Sequence, residues 1–486
     1  MKIEPDAAGM NEARLERITE HFEAKYVTPG LLAGCQITVV RGGHLAYQRS
    51  LGLMDRERGR PTEDDTIFRI YSMTKPIASV ALMQLYERGM FQLADPVHRY
   101  IPAWRNLGVG EVQPDGSLTT VRPPRPMNVK DVLMHMTGLP GGLFPGNPID
   151  DAFAEARRSR SEGLTLEGVT ALLAEHPLKF NPGTRWNYGL STDIVGRLVE
   201  ILTGERFDEY LRHAVFEPLG MEDTGFFVPE GAADRLAALY QFQPGNTPSL
   251  LEAPEHSRYL RPPSYLSGAG GLVSTTSDYV AFCQMLLNRG QLGGRRILGR
   301  KTLELMTCNH LPGGATLADV AIGGFGEAGF DGVGFGLGFA VGQGPAATGM
   351  AGSAGEFYWG GAASTAFWID PVEDLFAVFM TQLIPSVTYP IRAELRARSC
   401  GGNRPRTVPS YRGSSNRREV LERRAGSGCE ARSPGWDSAV AGRARGAQTQ
   451  PAGRTRHGRP GDRTRRRAAR PARTVGVRLR PAHPGR

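Results

Sequence analysis

Residues 72–89 are apolar on nearly every side of a helical projection. A helix of that kind cannot rest on a surface with one wet face; it has to be covered all round. No other stretch constrains the fold as strongly, because the rest of the chain has to be built around this helix. Two polar residues interrupt the pattern at its start, in Phe68-Arg69-Ile70-Tyr71-Ser72-Met73-Thr74-Lys75-Pro76. Ser72 and Lys75, three positions apart, share one helical face a turn from each other. Pro76 falls in about the first turn, where its missing amide donor costs little.

A serine hydroxyl is a weak nucleophile until an adjacent base takes its proton. A lysine serves as that base only when its surroundings keep it neutral at working pH. A serine three residues before a lysine is a common accident, so the pair gains meaning from what accompanies it.

Helical spacing covers residues 11–26, with Leu15, Ile18 and Phe22 on one stripe. Strand patterns follow at 34–40 and 45–50, joined by the turn signal Arg41-Gly42-Gly43-His44. Helices are predicted at 129–136, 166–175, 191–202 and 207–215, with proline-rich turns at 123–126 and 140–148. After Gly268-Ala269-Gly270-Gly271 a helix at 277–288 leads back to strands at 334–342, 363–369 and 375–381. Strands at both ends around a helical middle predict an α/β unit, 1–75 and 255–400, with a mainly helical domain, 76–254, inserted.

The composition changes at residue 401. From there to the end the chain holds 22 arginines, no lysine and 5 acidic residues, a net charge of +17. Set against +9 for the whole chain, this leaves −8 for residues 1–400. The tail has no isoleucine or phenylalanine and cannot bury enough apolar surface to offset the entropy of ordering it. It is expected to be disordered, and its bias resembles GC-rich DNA translated out of frame. It lacks the aromatic interleaving, heptads and zinc spacing of a specific nucleic-acid module, so only non-specific phosphate binding is expected of it.

Residues 1–6 lack the apolar run of a secretory signal, and no stretch reaches the roughly 18 apolar residues of a membrane span. Cys35, Cys283, Cys308, Cys400 and Cys429 show no CxxC spacing, so neither a disulfide framework nor a zinc site is implied; Cys283 reads as helix core. A cytoplasmic protein without metal or cofactor is expected, with a small molecule rather than a nucleic acid or a membrane as its partner.

Two further stretches offer chemistry. Tyr188, in Arg185-Trp186-Asn187-Tyr188-Gly189-Leu190-Ser191, can shuttle a proton beside a Ser/Lys pair if a cation favours its phenolate; alone, it would be structural. Trp359-Gly360-Gly361-Ala362 reads as the opening of a strand where glycines admit a ligand close to the backbone and the Ala362 amide faces a carbonyl; alone, it would be a sheet edge. Ala351-Gly352-Ser353-Ala354-Gly355 approaches a G-x-S-x-G elbow but lacks the first glycine and the following helix. His135 reads as a structural residue holding a turn. The glycine-rich 324–355 region reads as a substrate-side loop, since it has no P-loop lysine.

Taken in order, Ser72-Met73-Thr74-Lys75, Tyr188 and Trp359-Gly360-Gly361 resemble the motifs of the serine β-lactamase and penicillin-binding-protein superfamily. The likeness is to its class C branch, and within that to the family VIII carboxylesterases. Further matching stretches are Leu93-Ala94-Asp95-Pro96, Leu133-Met134-His135-Met136-Thr137-Gly138-Leu139, Pro218-Leu219-Gly220-Met221 and Gly268-Ala269-Gly270-Gly271. The resemblance covers nearly all of 10–400. It implies an antiparallel sheet flanked by helices with the helical domain inserted. It also implies Ser72 as the acylated nucleophile, Lys75 and Tyr188 as the shared base, and the amides of Ser72 and Ala362 as an oxyanion hole.

Two departures bear on the substrate. Lactamases of this class begin the third motif with lysine, where Trp359 stands here, and carry asparagine two residues after the tyrosine, where Leu190 stands. Both replacements exchange polar anchors for apolar surface, so Trp359, Gly360, Gly361 and Leu190 are expected to bind neutral substrates. The implied activity is a carboxylesterase on short-chain esters. The alternatives are a lactamase, a D-amino-acid amidase, an acyltransferase of the same chemistry, or a non-catalytic peptidoglycan-binding relative.

Overall fold

A computed structural model describes residues 2–402 except 115–117, 142–146, 161–162 and 324–328. Nearly all of the arginine-rich tail, and part of the glycine-rich 324–355 region, lie outside the described residues.

The main sheet has eight strands, all antiparallel to their neighbours. They are β1 (Gly34–Arg41), β2 (His44–Asp55), β3 (Arg60–Pro61), β4 (Val333–Phe335), β5 (Ala340–Gly342), β6 (Phe357–Gly360), β7 (Ala366–Asp370) and β8 (Leu375–Met380). Their order is β4-β5-β6-β7-β8-β1-β2-β3. The chain thus starts on one half of the sheet and returns to complete it at β8, which pairs with β1 from Gln36↔Met380 to Arg41↔Leu375. Both of these central strands are buried along their whole length. That is why their sequences, Cys35-Gln36-Ile37-Thr38-Val39-Val40 and Leu375-Phe376-Ala377-Val378-Phe379-Met380, run largely apolar instead of alternating.

Helices cover both faces. On one, α1 (Glu12–Phe22) and the C-terminal α5 (Ile391–Gly401) pack together, and Phe22 meets Phe379 of β8 at 5.4 Å between ring centroids. On the other, α4 (Thr276–Leu287) sets Tyr279 5.2 Å from Phe367 of β7. The apolar segment seen in the sequence is α2 (Thr74–Glu87), and every residue from Thr74 to Leu85 is buried. It packs against α3 (Ser191–Thr203) of the helical middle. Each large side chain so covered contributes about 1.5–3 kcal/mol.

The middle is mostly helix but also carries two hairpins, Val109–Val112 with Leu118–Val121 and Leu239–Gln243 with Asn246–Glu252. Among the described residues no helix is long and apolar enough to cross a membrane.

Several local expectations change. The single strand predicted at 334–342 is two, because Gly338 takes φ +97° and the Ser79 side chain occupies the place of its missing Cβ. The strand predicted from 363 begins at Ala366, since Ser364 has φ +68° and donates its hydroxyl to Leu383 O at 2.7 Å. Trp359 does not open a strand; it is the third residue of β6, which ends at Gly360. Proline at 148, read as part of a turn, starts the helix Pro148–Ser159, with the Asn147 side chain accepting from Ile149 N. Helix α5 extends to Gly401, whose carbonyl accepts from Arg14, while Gly402 O accepts from Asn11 N.

Candidate active site

Ser72 enters the site from a short strand, Ile67–Arg69, paired with Val273–Thr275, and from the one-turn helix Tyr71–Met73. Arg69 anchors the approach from the interior: it donates to Ala237 O at 2.6 Å and forms a 2.6 Å ion pair with Glu252. Tyr71 sits at φ +42°. A non-glycine residue in that region costs about 1–3 kcal/mol and persists only where its surroundings fix it. The Tyr279 hydroxyl, donating to Met73 O at 3.0 Å, is one such restraint.

One turn further on, Lys75 Nζ lies 3.1 Å from Ser72 Oγ and 2.7 Å from Ala269 O. Ser72 is 8% exposed, Lys75 4% and Tyr188 4%, so the trio sits at the floor of the fold, out of bulk water. Lys75 Nζ is 4.4 Å from the centroid of the Tyr188 ring. Trp359 Nε1 donates to the Tyr188 hydroxyl at 3.4 Å. Three stretches far apart in sequence thus meet at one point.

An aromatic frame fixes Tyr188. It stacks on Trp186 at 5.7 Å and 14°, and lies 5.2 Å from His135 and 5.5 Å from Trp359. His135 has φ +57°, its carbonyl accepts from Asn187 N at 2.8 Å, and it is wholly buried. Burial first, and the nearby Lys75 charge second, hold its imidazole well below the ordinary range, so it stays neutral and holds the turn as expected. Leu190 is half-buried at the entry to α3. Gly360 and Gly361 bring backbones together: a Cβ on Gly361 would lie 2.4 Å from Ile70 O, beside the nucleophile turn. Ala362, next in the chain, is half-exposed. Ser353 lies in a loop followed by strand β6 rather than by a helix, which the elbow geometry does not allow.

Two groups of residues went unnoticed in the sequence. Asp193, fully buried on α3, accepts from Ser267 Oγ at 2.7 Å and from Ala269 N at 3.1 Å. It therefore clamps the residue whose carbonyl meets Lys75. Burial pushes its carboxyl up from the usual range, and the bonds from Ser267 and Ala269 oppose that shift. The second group is Lys179, which pairs with Asp150 at 2.9 Å and donates to Asn187 Oδ1 at 3.0 Å, next to Tyr188. Asp193 stood only as an acid in the first turn of α3, an ordinary place for one; Lys179 and Asp150 carried no signal, since their meeting depends on loops. Among the described residues no group of histidine, cysteine and acidic side chains could hold a metal ion.

The Beta-lactamase family model matches residues 15–399, almost the whole of the described body. The chain belongs to the beta-lactamase family. Its relatives there include Protein Rv1367c of Mycobacterium tuberculosis, 32% identical over 364 residues, covering 74% of this chain and 88% of that one. Esterase EstB of Burkholderia gladioli is 30% identical over 400 residues, covering 78% and 93%. Among solved structures, EstCE1, a hydrolase with promiscuous acyltransferase activity, superposes with TM-score 0.66 at 26% identity, over 80% of this chain and 98% of that one. As a beta-lactamase-family protein the chain has a hydrolase fold, with esterases among its relatives.

Proposed function

We propose that this protein is a serine carboxylesterase acting through a covalent acyl-enzyme, with short-chain esters as substrates. The observation that carries the reading is the buried contact of Ser72 Oγ with Lys75 Nζ at 3.1 Å, with the Tyr188 ring against the same nitrogen. In this scheme Lys75 and Tyr188 together take the Ser72 proton as its oxygen attacks the ester carbonyl. The amides of Ser72 and Ala362 hold the oxyanion, each worth about 3–4 kcal/mol where such donors are removed one at a time. The tetrahedral adduct collapses by breaking the C–O bond to the alcohol, which leaves with the proton. Water, deprotonated by the same pair, then releases the acid.

The likeness to Esterase EstB and EstCE1 supports ester substrates. So do Trp359 and Leu190, which stand at the positions where lactamases of this class carry the lysine and the asparagine. EstCE1's acyltransferase activity supports a second reading in which an alcohol or amine replaces water in the last step. The test is turnover of p-nitrophenyl acetate with a pre-steady-state burst of nitrophenol. A burst followed by steady hydrolysis supports the esterase, rate gain on adding an alcohol acceptor supports transfer, and no nitrophenol release above background overturns both in favour of a binding protein.

A further inference from the structure

A cavity of about 500 Å³ lies between the ends of β6 and β7 and the start of α5. It is separate from the candidate active site. Among the described residues none of Ser72, Lys75, Tyr188 or Ala362 lines it, and the strand end at 359–361 stands between the two spaces. A Cβ on Gly361 would lie 2.4 Å from Ile70 O, beside the nucleophile turn, while one on Gly360 would lie 2.3 Å from Arg392 Nη2, in the cavity wall.

Three polar side chains of the lining are left with hydrogen bonds to make. Tyr358, Ser386 and Arg396 are only 6%, 7% and 4% exposed. Neither the Tyr358 hydroxyl nor the Ser386 hydroxyl has a hydrogen-bond partner among the described residues. A buried polar group in that state costs about 1–3 kcal/mol, which a suitable occupant of the cavity would recover. Arg396 commits Nη1 to Glu356, and among the described residues that is the one hydrogen bond of a guanidinium that carries several donors. The ion pair with Glu356, together with the rings of Tyr358 at 4.8 Å and Trp368 at 5.3 Å, holds the guanidinium in place. A guanidinium only donates, and both hydroxyls can donate, so the partner all three have in common is an acceptor. A carboxylate is an acceptor alone and makes the strongest such bonds with arginine. The rest of the wall is largely aromatic, with Phe330, Trp368 and Tyr389, and the volume lies within the range of small-molecule sites.

We infer that this cavity is a second ligand site, built for a small aromatic carboxylate. The ring lies among Phe330, Trp368 and Tyr389, and the carboxylate meets Arg396, with the Tyr358 and Ser386 hydroxyls as further donors. The site does not depend on the chemistry at Ser72. Titrating the full chain into 3-(4-fluorophenyl)propanoate is expected to give a saturable ¹⁹F shift, and the neutral isostere 3-(4-fluorophenyl)propanamide is expected to bind at least about fivefold more weakly. Tyr358→Phe combined with Ser386→Ala removes both hydroxyls without touching the Arg396–Glu356 pair, and is expected to raise Kd about tenfold. Val387 and Ala393 of α5, both exposed, stand on the rim. Filling it with Ala393→Trp, or independently with Val387→Trp, is expected to abolish the saturable shift. Four results overturn the inference. They are no saturable shift, an amide that binds as tightly as the carboxylate, a double variant within twofold of the wild type, and a shift that survives both fillings. The last would place the ligand elsewhere, on the arginine-rich tail for example.

Discussion

At the scale of single residues, the proposed chemistry depends on Ser72, Lys75 and Tyr188 acting as a unit, so their losses should not add. Ser72→Ala is expected to lower ester turnover roughly a thousandfold or more with an unchanged melting temperature, and a phosphonate ester should label the peptide holding Ser72. An adduct on Ser353 would overturn the assignment. Lys75→Arg keeps the charge but not the capacity to release a proton near neutral pH. Its activity, like that of Tyr188→Phe, should fall by about 10²–10⁴-fold, and retention of a tenth of the wild-type rate would remove that residue from the mechanism. Asp193 acts at one remove, through Ala269. Asp193→Asn is expected to lower kcat about tenfold or more while leaving KM within a factor of two. The substitution preserves shape and can keep an oxygen toward Ser267 and Ala269, so what it removes is the negative charge held in the buried site. An unchanged kcat would show that the loop holds Lys75 without help.

At the scale of elements, α2 gains its rigidity from being covered on all sides. Leu82→Ala, at a site with no exposure, should cost about 2–5 kcal/mol of stability through the cavity it leaves. Helix α5 is held to the residue that precedes β6 by the buried Arg396–Glu356 pair. Burial raises the Glu356 carboxyl to about 7 against an ordinary 4.5, with Arg396 opposing the shift. Between those two values the folded chain holds a proton that the unfolded chain releases, so folding is favoured at the acid end of the window and stability falls as pH rises through it. A lower Tm at pH 7 than at pH 5 is expected from this group, and Glu356→Gln should flatten that slope; an unaltered slope would mean that other carboxyls set it.

At the scale of the whole molecule, specificity is expected to follow from the apolar wall at Trp359 and Leu190. Ester kcat/KM should exceed that for benzylpenicillin by orders of magnitude, and efficient penicillin turnover would show that the missing polar anchors are dispensable. The arginine-rich tail offers a second test. A chain ending at Gly402 keeps the carbonyl that accepts from Asn11 N. It should retain the melting temperature and esterase rate of the full chain while losing salt-sensitive adsorption to DNA, since that adsorption would come from phosphate contacts that release counterions. A drop in either stability or rate would assign the tail a place in the folded protein.

The sequence alone determined that α2 is buried, that strands at both ends enclose a helical middle, and that Ser72, Lys75, Tyr188 and Trp359 are the residues to examine. Those features are local: apolar periodicity, helical spacing and glycine-flanked aromatics are written in a few adjacent positions. It misread the strand boundaries near 338 and 364, where a positive φ interrupts the strand, and it set Trp359 at the opening of a strand that it stands near the end of. Only the tertiary structure decided that Lys75 Nζ lies over the Tyr188 ring, that Asp193 and Lys179 support the group, and that a cavity lies behind Trp359. Each of these depends on residues from different elements or loops, not neighbours in one periodic stretch, meeting at one place. Such meetings are fixed by how the helical middle closes over the sheet, and no local pattern encodes that closure.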